Sequence, residues 1–185
     1  MMALKKAIGL VELNSIARGF LTCDTMVKTA QVELIETLTI CPGKYMILVG
    51  GEVGAVKSSV EAGVLRGGEA VVDHLLIPNV HPDIFPAINA STQVDEIDAL
   101  GIFETFTVAS GIIAADAAVK TAAVRLIELR LAKGIGGKSF FTLTGQVSAV
   151  QAAIQAGKEL IEKEGVFVGS QIIPRPDPAL IKMIW

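Results

Sequence analysis

Much of this chain is written twice. A-I-G-L-V-E at 7–12 returns as A-L-G-I-F-E at 99–104, and D-T-M-V-K-T-A-Q-V-E-L-I-E at 24–36 returns as D-A-A-V-K-T-A-A-V-R-L-I-E at 116–128. The offset is 92, and fourteen of the thirty positions from 7 to 36 are identical. K-Y-M-I-L-V-G-G-E-V-G-A-V at 44–56 answers K-S-F-F-T-L-T-G-Q-V-S-A-V at 138–150 with an offset of 94, so the second copy has two extra residues in the intervening loop. L-I-P-N-V-H-P at 76–82 answers I-I-P-R-P-D-P at 172–178. Such self-similarity constrains the fold more than any single element: the 185 residues must make one unit of roughly ninety residues, twice. The seam falls near the polar stretch S-T-Q-V-D-E-I-D at 91–98, which sets the expected domains at 1–94 and 95–185.

Each copy has a readable order of elements. Ile8 to Leu13 is short, apolar and compatible with a strand. Ser15 to Ala30 reads as a helix, with Ser15 able to cap and Ile16, Phe20, Met26, Val27 and Ala30 supplying apolar positions. Val32 to Ile40 alternates as a strand does, Pro42-Gly43 turns the chain, and Tyr45 to Val49 returns. Val53 to Leu65 is a second helix with Val53, Val56, Val60 and Val64 along one face; Gly67-Gly68 ends it, and Ala70 to Ile77 is a further strand. The order βαββαβ is that of the ferredoxin-like α+β fold. Two such units in tandem are expected.

Half of the residues are hydrophobic and 19% are charged, which suits a packed core and argues against disorder. A net charge of −3 without a basic run gives no footprint for nucleic acid. No stretch approaches the roughly 18 to 20 apolar residues of a membrane span. The first ten residues lack the apolar stretch and small-residue cleavage site of a signal peptide, and only two cysteines occur. A soluble, cytosolic protein is the expectation. The high apolar fraction with few aromatics points to further burial against neighbouring copies.

Catalytic constellations are thin, and no enzyme is expected. Residues 132–139, A-K-G-I-G-G-K-S, are one substitution from the phosphate-binding pattern G-x-x-x-x-G-K-[ST], with Ala132 in place of the first glycine. That pattern works only between a strand and a helix whose N-terminus holds the phosphate. Here F-F-T-L-T follows, so a glycine hairpin is expected. His74 reads as a strand residue and His81 as a loop residue. Glu12 and Glu104 sit at equivalent places in the two copies, which points to a shared structural role.

In series, I-G-L-V-E, D-T-M-V-K-T-A-Q-V-E-L-I, K-Y-M-I-L-V-G-G-E-V-G-A-V-K-S-S-V-E-A-G and L-I-P-N-V-H-P resemble the bacterial microcompartment shell domain, and so do their counterparts in the second copy. The motifs cover nearly the whole chain in the unpermuted order. The resemblance implies a structural tile in the shell of a cytoplasmic microcompartment. Three chains would close into a pseudo-hexameric trimer and meet other shell proteins laterally, without nucleic acid or membrane. It places the hairpin between the second and third strands at a central pore. Those residues are Ile40, Cys41, Pro42, Gly43 and Lys44 in the first copy. In the second the loop runs from Lys133 and includes Gly134, Ile135, Gly136, Gly137, Lys138 and Ser139. Lys28 and Lys120 resemble lysines at the tile edge, Arg175 resembles their arginine partner, and Asn79 replaces that arginine in the first copy. An isolated ferredoxin-like regulatory oligomer is the competing class.

Cys41, at a Pro-Gly turn, would meet two symmetry mates at such a pore. An iron–sulfur cluster usually takes four cysteine thiolates, which one chain here cannot supply. A [4Fe–4S] cube nevertheless has a three-fold axis, so three cysteines can hold three irons. The C-P-G-K loop resembles that of the iron–sulfur-binding shell trimers of propanediol-utilisation compartments. One [4Fe–4S] cluster per trimer, serving electron transfer or cluster delivery, is therefore implied. An open pore with a spare thiol and a zinc site also remain open readings. Cys23 reads as a small core residue.

Overall fold

The computed structural model describes residues 6–184. The first five residues, part of the stretch read for a leader, lie outside them. The chain forms two compact units, one reaching Val80 and including Ala132–Gly137, the other holding His81–Leu131 and the chain from Lys138 onward.

In the first unit, β1 (Ala7–Leu13), α1 (Ile16–Thr29), β2 (Glu33–Ile40), β3 (Lys44–Gly51), α2 (Val53–Gly67) and β4 (Val71–Pro78) follow one another. The sheet order is β2-β3-β1-β4 with antiparallel pairing throughout. This is the expected βαββαβ arrangement. Ser15 caps α1, its hydroxyl accepting from the Arg18 N–H at 3.3 Å. The second helix runs two residues further than expected, through Gly67. Gly68 then takes φ 55° and opens a 3-10 turn into β4.

One face of this sheet carries the helices. Ala7, Val11, Leu13, Tyr45, Ile47 and Val49 point to it and pack with Met26, Val56 and Val60. Alternation puts Ile8, Leu10, Met46 and Leu48 on the other face. These four are also buried, so β1 is covered on both sides. Glycines let the layers approach closely. A methyl group on Gly63 would meet the Met26 sulfur at 2.6 Å, where α1 and α2 cross.

The second unit repeats the plan: β5 (Ala99–Thr105), α4 (Val108–Thr121), β6 (Arg125–Leu131), β7 (Ser139–Gly145), α5 (Val147–Ile161) and β8 (Phe167–Ile173), in sheet order β6-β7-β5-β8. Thr107 caps α4 as Ser15 caps α1, accepting from the Ser110 N–H at 3.2 Å. Phe103 and Phe141 stack at 5.0 Å in the core. Two short helices were not apparent in the sequence. The first, α3 (Ile84–Ile88), lies just before the seam and packs on β6 and α4; the second, α6 (Pro178–Ile184), follows β8. The seam is thus partly folded: Val94 joins Leu100 and Ile127 in a small buried cluster, with Ile97 against it.

Candidate functional site

The β2–β3 hairpin turns through Cys41, Pro42 and Gly43. Its peptide before Pro42 is cis, and Gly43 has φ 73°. Ile40 is buried below the turn, Cys41 is half-buried, and Pro42 and Gly43 are exposed. Cys41 is a free thiol, as is Cys23. Burial pushes the Cys23 thiol above its usual range. A hydrogen bond with Thr37 opposes this and nearby Asp24 adds to it. Cys23 packs against the first core from α1, so it is a packing residue with little thiolate character. Among the described residues, no three of His, Cys, Asp or Glu come together as a metal site within one chain.

Behind the hairpin lies a buried ion pair. Lys44, the first residue of β3, donates to Glu12 Oε1 at 2.7 Å; the glutamate is 0% exposed and the lysine 18%. Glu12 Oε2 is buried without a hydrogen-bond partner. In the second unit Lys138 and Glu104 form the same pair at 3.3 Å, with both side chains half-exposed. The repeated glutamates thus share one structural role: each holds a lysine at the entry to the returning strand, Lys44 as the first residue of β3 and Lys138 just before β7.

The tip of the β6–β7 hairpin, Ala132–Gly137, groups with the first unit. Lys133 pairs with Glu36 on β2. Gly137 has φ 85°, and a methyl group there would fall 2.5 Å from the Cys41 carbonyl oxygen and 3.1 Å from Pro42 Cδ. Only glycine suits that backbone and that approach. The glycine tip therefore rests directly on the Cys41 turn. Ser139 opens β7, and its hydroxyl donates to the Arg130 carbonyl at 2.8 Å. The loop joins two strands of a hairpin, so the resemblance to a phosphate-binding loop goes no further than the letters.

The remaining candidates lie away from the hairpins in sequence. Lys28 reaches Asp24 at 2.7 Å on an exposed stretch of α1. Lys120 reaches Asp116 at 2.5 Å on α4, where Asp116 is nearly buried and also accepts the His81 N–H at 2.7 Å. Asn79 is exposed with φ 58°, a left-handed conformation that asparagine tolerates. Arg175 and His74 are exposed, and His81 is half-buried. The Glu12–Lys44 pair was not singled out in the sequence. The signal that could have found it is the retention of both partners in both copies.

Twin antiparallel sheets backed by helices, each unit with a hairpin between its second and third strands, define a tandem protein of one domain type. The BMC domain model matches residues 7–80 and 99–176, and the chain belongs to that family. It is 42% identical over 177 residues to the bacterial microcompartment shell protein PduT of Citrobacter freundii, covering 96% of each chain. The shell protein PduA of the same organism is 35% identical over 83 residues, which are 43% of this chain and 88% of PduA. Among solved structures, a microcompartments protein from Desulfitobacterium hafniense DCB superposes with a TM-score of 0.90 at 49% identity, covering 97% of this chain and 99% of that one.

Proposed function

We propose that this chain is a tile of a bacterial microcompartment shell in the cytoplasm, in which three copies close head to tail into a pseudo-hexagonal ring with the hairpins at its centre. The family membership and the likeness to PduT support the tile. One observation carries the ring. The outward side of α4 is buried, while the equivalent side of α1 is bare: Ile112 is 0% exposed and its counterpart Phe20 is 63% exposed. Val108 and Val119 are likewise buried where Ile16 and Val27 are exposed. The sheets show the converse. Glu12 is buried on β1, and its counterpart Glu104 on β5 is half-exposed. The residues named as buried on one unit are thus more exposed at the equivalent places of the other. A second copy satisfies both, and a heterologous contact of this kind closes into a ring or runs on as a filament. Sedimentation at micromolar concentration is expected to give a trimer, and a monomer would sink the ring.

At the ring centre, three Cys41 thiolates are the donors for a [4Fe–4S] cluster. The donor chemistry fits: thiolates select iron–sulfur clusters or zinc, and Cys41 is only half-buried on an otherwise exposed turn. One chain offers one such thiolate, so the site requires the trimer. When bound, the cluster would supply one-electron chemistry or iron–sulfur cargo at the pore. Cys41 would hold it, Pro42 and Gly43 would shape the turn, and the Gly137 tip would pack against it.

Lys28, Lys120 and Arg175 are the tile-edge residues of this reading, with Asn79 leaving the first copy without the arginine. Lys28 and Arg175 are the better probes, because Lys120 also neutralises the nearly buried Asp116. An exposed pair such as Lys28–Asp24 contributes only about 0.2–1 kcal/mol, so Lys28→Asp with Arg175→Asp should spare the fold. Electron microscopy is expected to show trimers of the double variant that no longer form sheets. Normal sheets would refute the edge assignment.

A further inference from the structure

In the second unit, α3 covers a surface that its counterpart in the first unit leaves bare. It packs on β6 and α4, with Ile84 and Ala87 buried. The His81 N–H, just before the helix, donates to Asp116 of α4. The surface beneath is closed, and Leu126 of β6 is 0% exposed.

The same pieces recur in the other copy. At an offset of 96, α6 occupies the place after β8 that α3 occupies after β4, so Pro178 answers Pro82 and Leu180 answers Ile84. Yet Leu180 is 40% exposed where Ile84 is 0% exposed. The face that would receive it is also bare. Leu34 of β2, the counterpart of Leu126, is exposed, and Asp24 of α1, the counterpart of Asp116, is open to solvent. A helix without its surface and a surface without its helix therefore coexist on one chain. Both belong to a pairing that the chain itself already displays once.

We infer that α6 of one copy docks on the α1–β2 face of the first unit of a second copy, with Leu180 seated near Leu34 and the Asp177 N–H facing Asp24. This inference rests on the ring reading and gives the ring a clasp. The occupant is a second copy of this chain because the repeat supplies the template: α3, packed on β6 and α4 with the His81 N–H on Asp116, already realises the pairing. Apolar closure over Leu34 and Leu180 supplies the drive, and the backbone donor supplies the register.

The test places the photo-crosslinking residue p-benzoylphenylalanine at position 180 of the full chain and follows assembly by sedimentation. Irradiation is expected to give a species of twice the chain mass on a denaturing gel, with the linked peptide lying within residues 16–38. In parallel, Leu180→Asp is expected to raise the concentration at which trimers dissociate at least tenfold, with an unchanged circular dichroism spectrum. Trimers that link elsewhere, or only within one chain, and that are indifferent to Leu180→Asp overturn the clasp but leave the ring. A wild-type protein that sediments as a monomer overturns both.

Discussion

Cys41→Ser is expected to strip the anaerobically purified protein of its iron and its brown colour while leaving the trimer intact. Wild type should carry about four iron and four sulfide per three chains. The loss should be complete because the three proposed donors are copies of one residue, so one substitution removes them all. The fold should survive because Cys41 lies on the turn above the buried Ile40 and outside the core cluster. Cys23→Ser should keep the cluster, since that thiol packs from α1 and is held protonated by burial. Elemental analysis and low-temperature electron paramagnetic resonance on the three proteins decide the matter. Iron retained by Cys41→Ser, or absent from reconstituted wild type, would leave a pore-lining thiol and an open pore. Zinc without sulfide would favour the metal-site reading.

Lys44→Met should cause the largest loss of stability among the charged positions considered above. Glu12 is wholly buried, and Lys44 is its counter-ion at 2.7 Å. Removing one partner of a buried pair strands a charge and costs about 3–5 kcal/mol. The unpartnered Oε2 adds to the burden, because no hydrogen bond is held in reserve. Lys138→Met removes the same chemistry from a half-exposed pair, where the cost to the isolated chain should be about 0–1 kcal/mol. Its effect should appear instead in trimer dissociation, since the proposed ring buries Glu104. Urea unfolding and sedimentation of both variants separate the two. Equal losses of fold stability would contradict the difference in burial.

Much of the fold could be read from the letters because the repeat reports topology directly. Two copies of βαββαβ place the strands, the caps and the hairpins, and the structure follows with shifts of one or two residues at the ends of elements. Cys41 was visible as a thiol on a turn, since Pro42-Gly43 can do little else. The short helix α3 was hidden because five residues interrupted by Pro86 show no period. The Glu12–Lys44 pair was hidden by distance along the chain: it joins residues 32 apart that only the pairing of β1 with β3 brings together. Least legible was which copy of each surface is covered. Ile16 and Val108 are both apolar and both follow a capping residue, yet one is bare and the other buried. Pattern reports that a face is suited to burial, not whether its partner lies in the same chain.

Fusion changes what a ring of this kind can count. A ring of six identical single-domain chains can offer its centre either no copies of a hairpin side chain or six. Here the thiol stands on the first hairpin, and a run of glycines occupies the second, whose tip rests on the Cys41 turn. The proposed ring of three such chains would bring together three Cys41 sulfurs, and the second hairpins would add no thiol. In the proposed ring, an odd ligand number would thus follow from the covalent link between the copies: the repeat would set a six-fold frame, and the difference between the two hairpins would halve its symmetry.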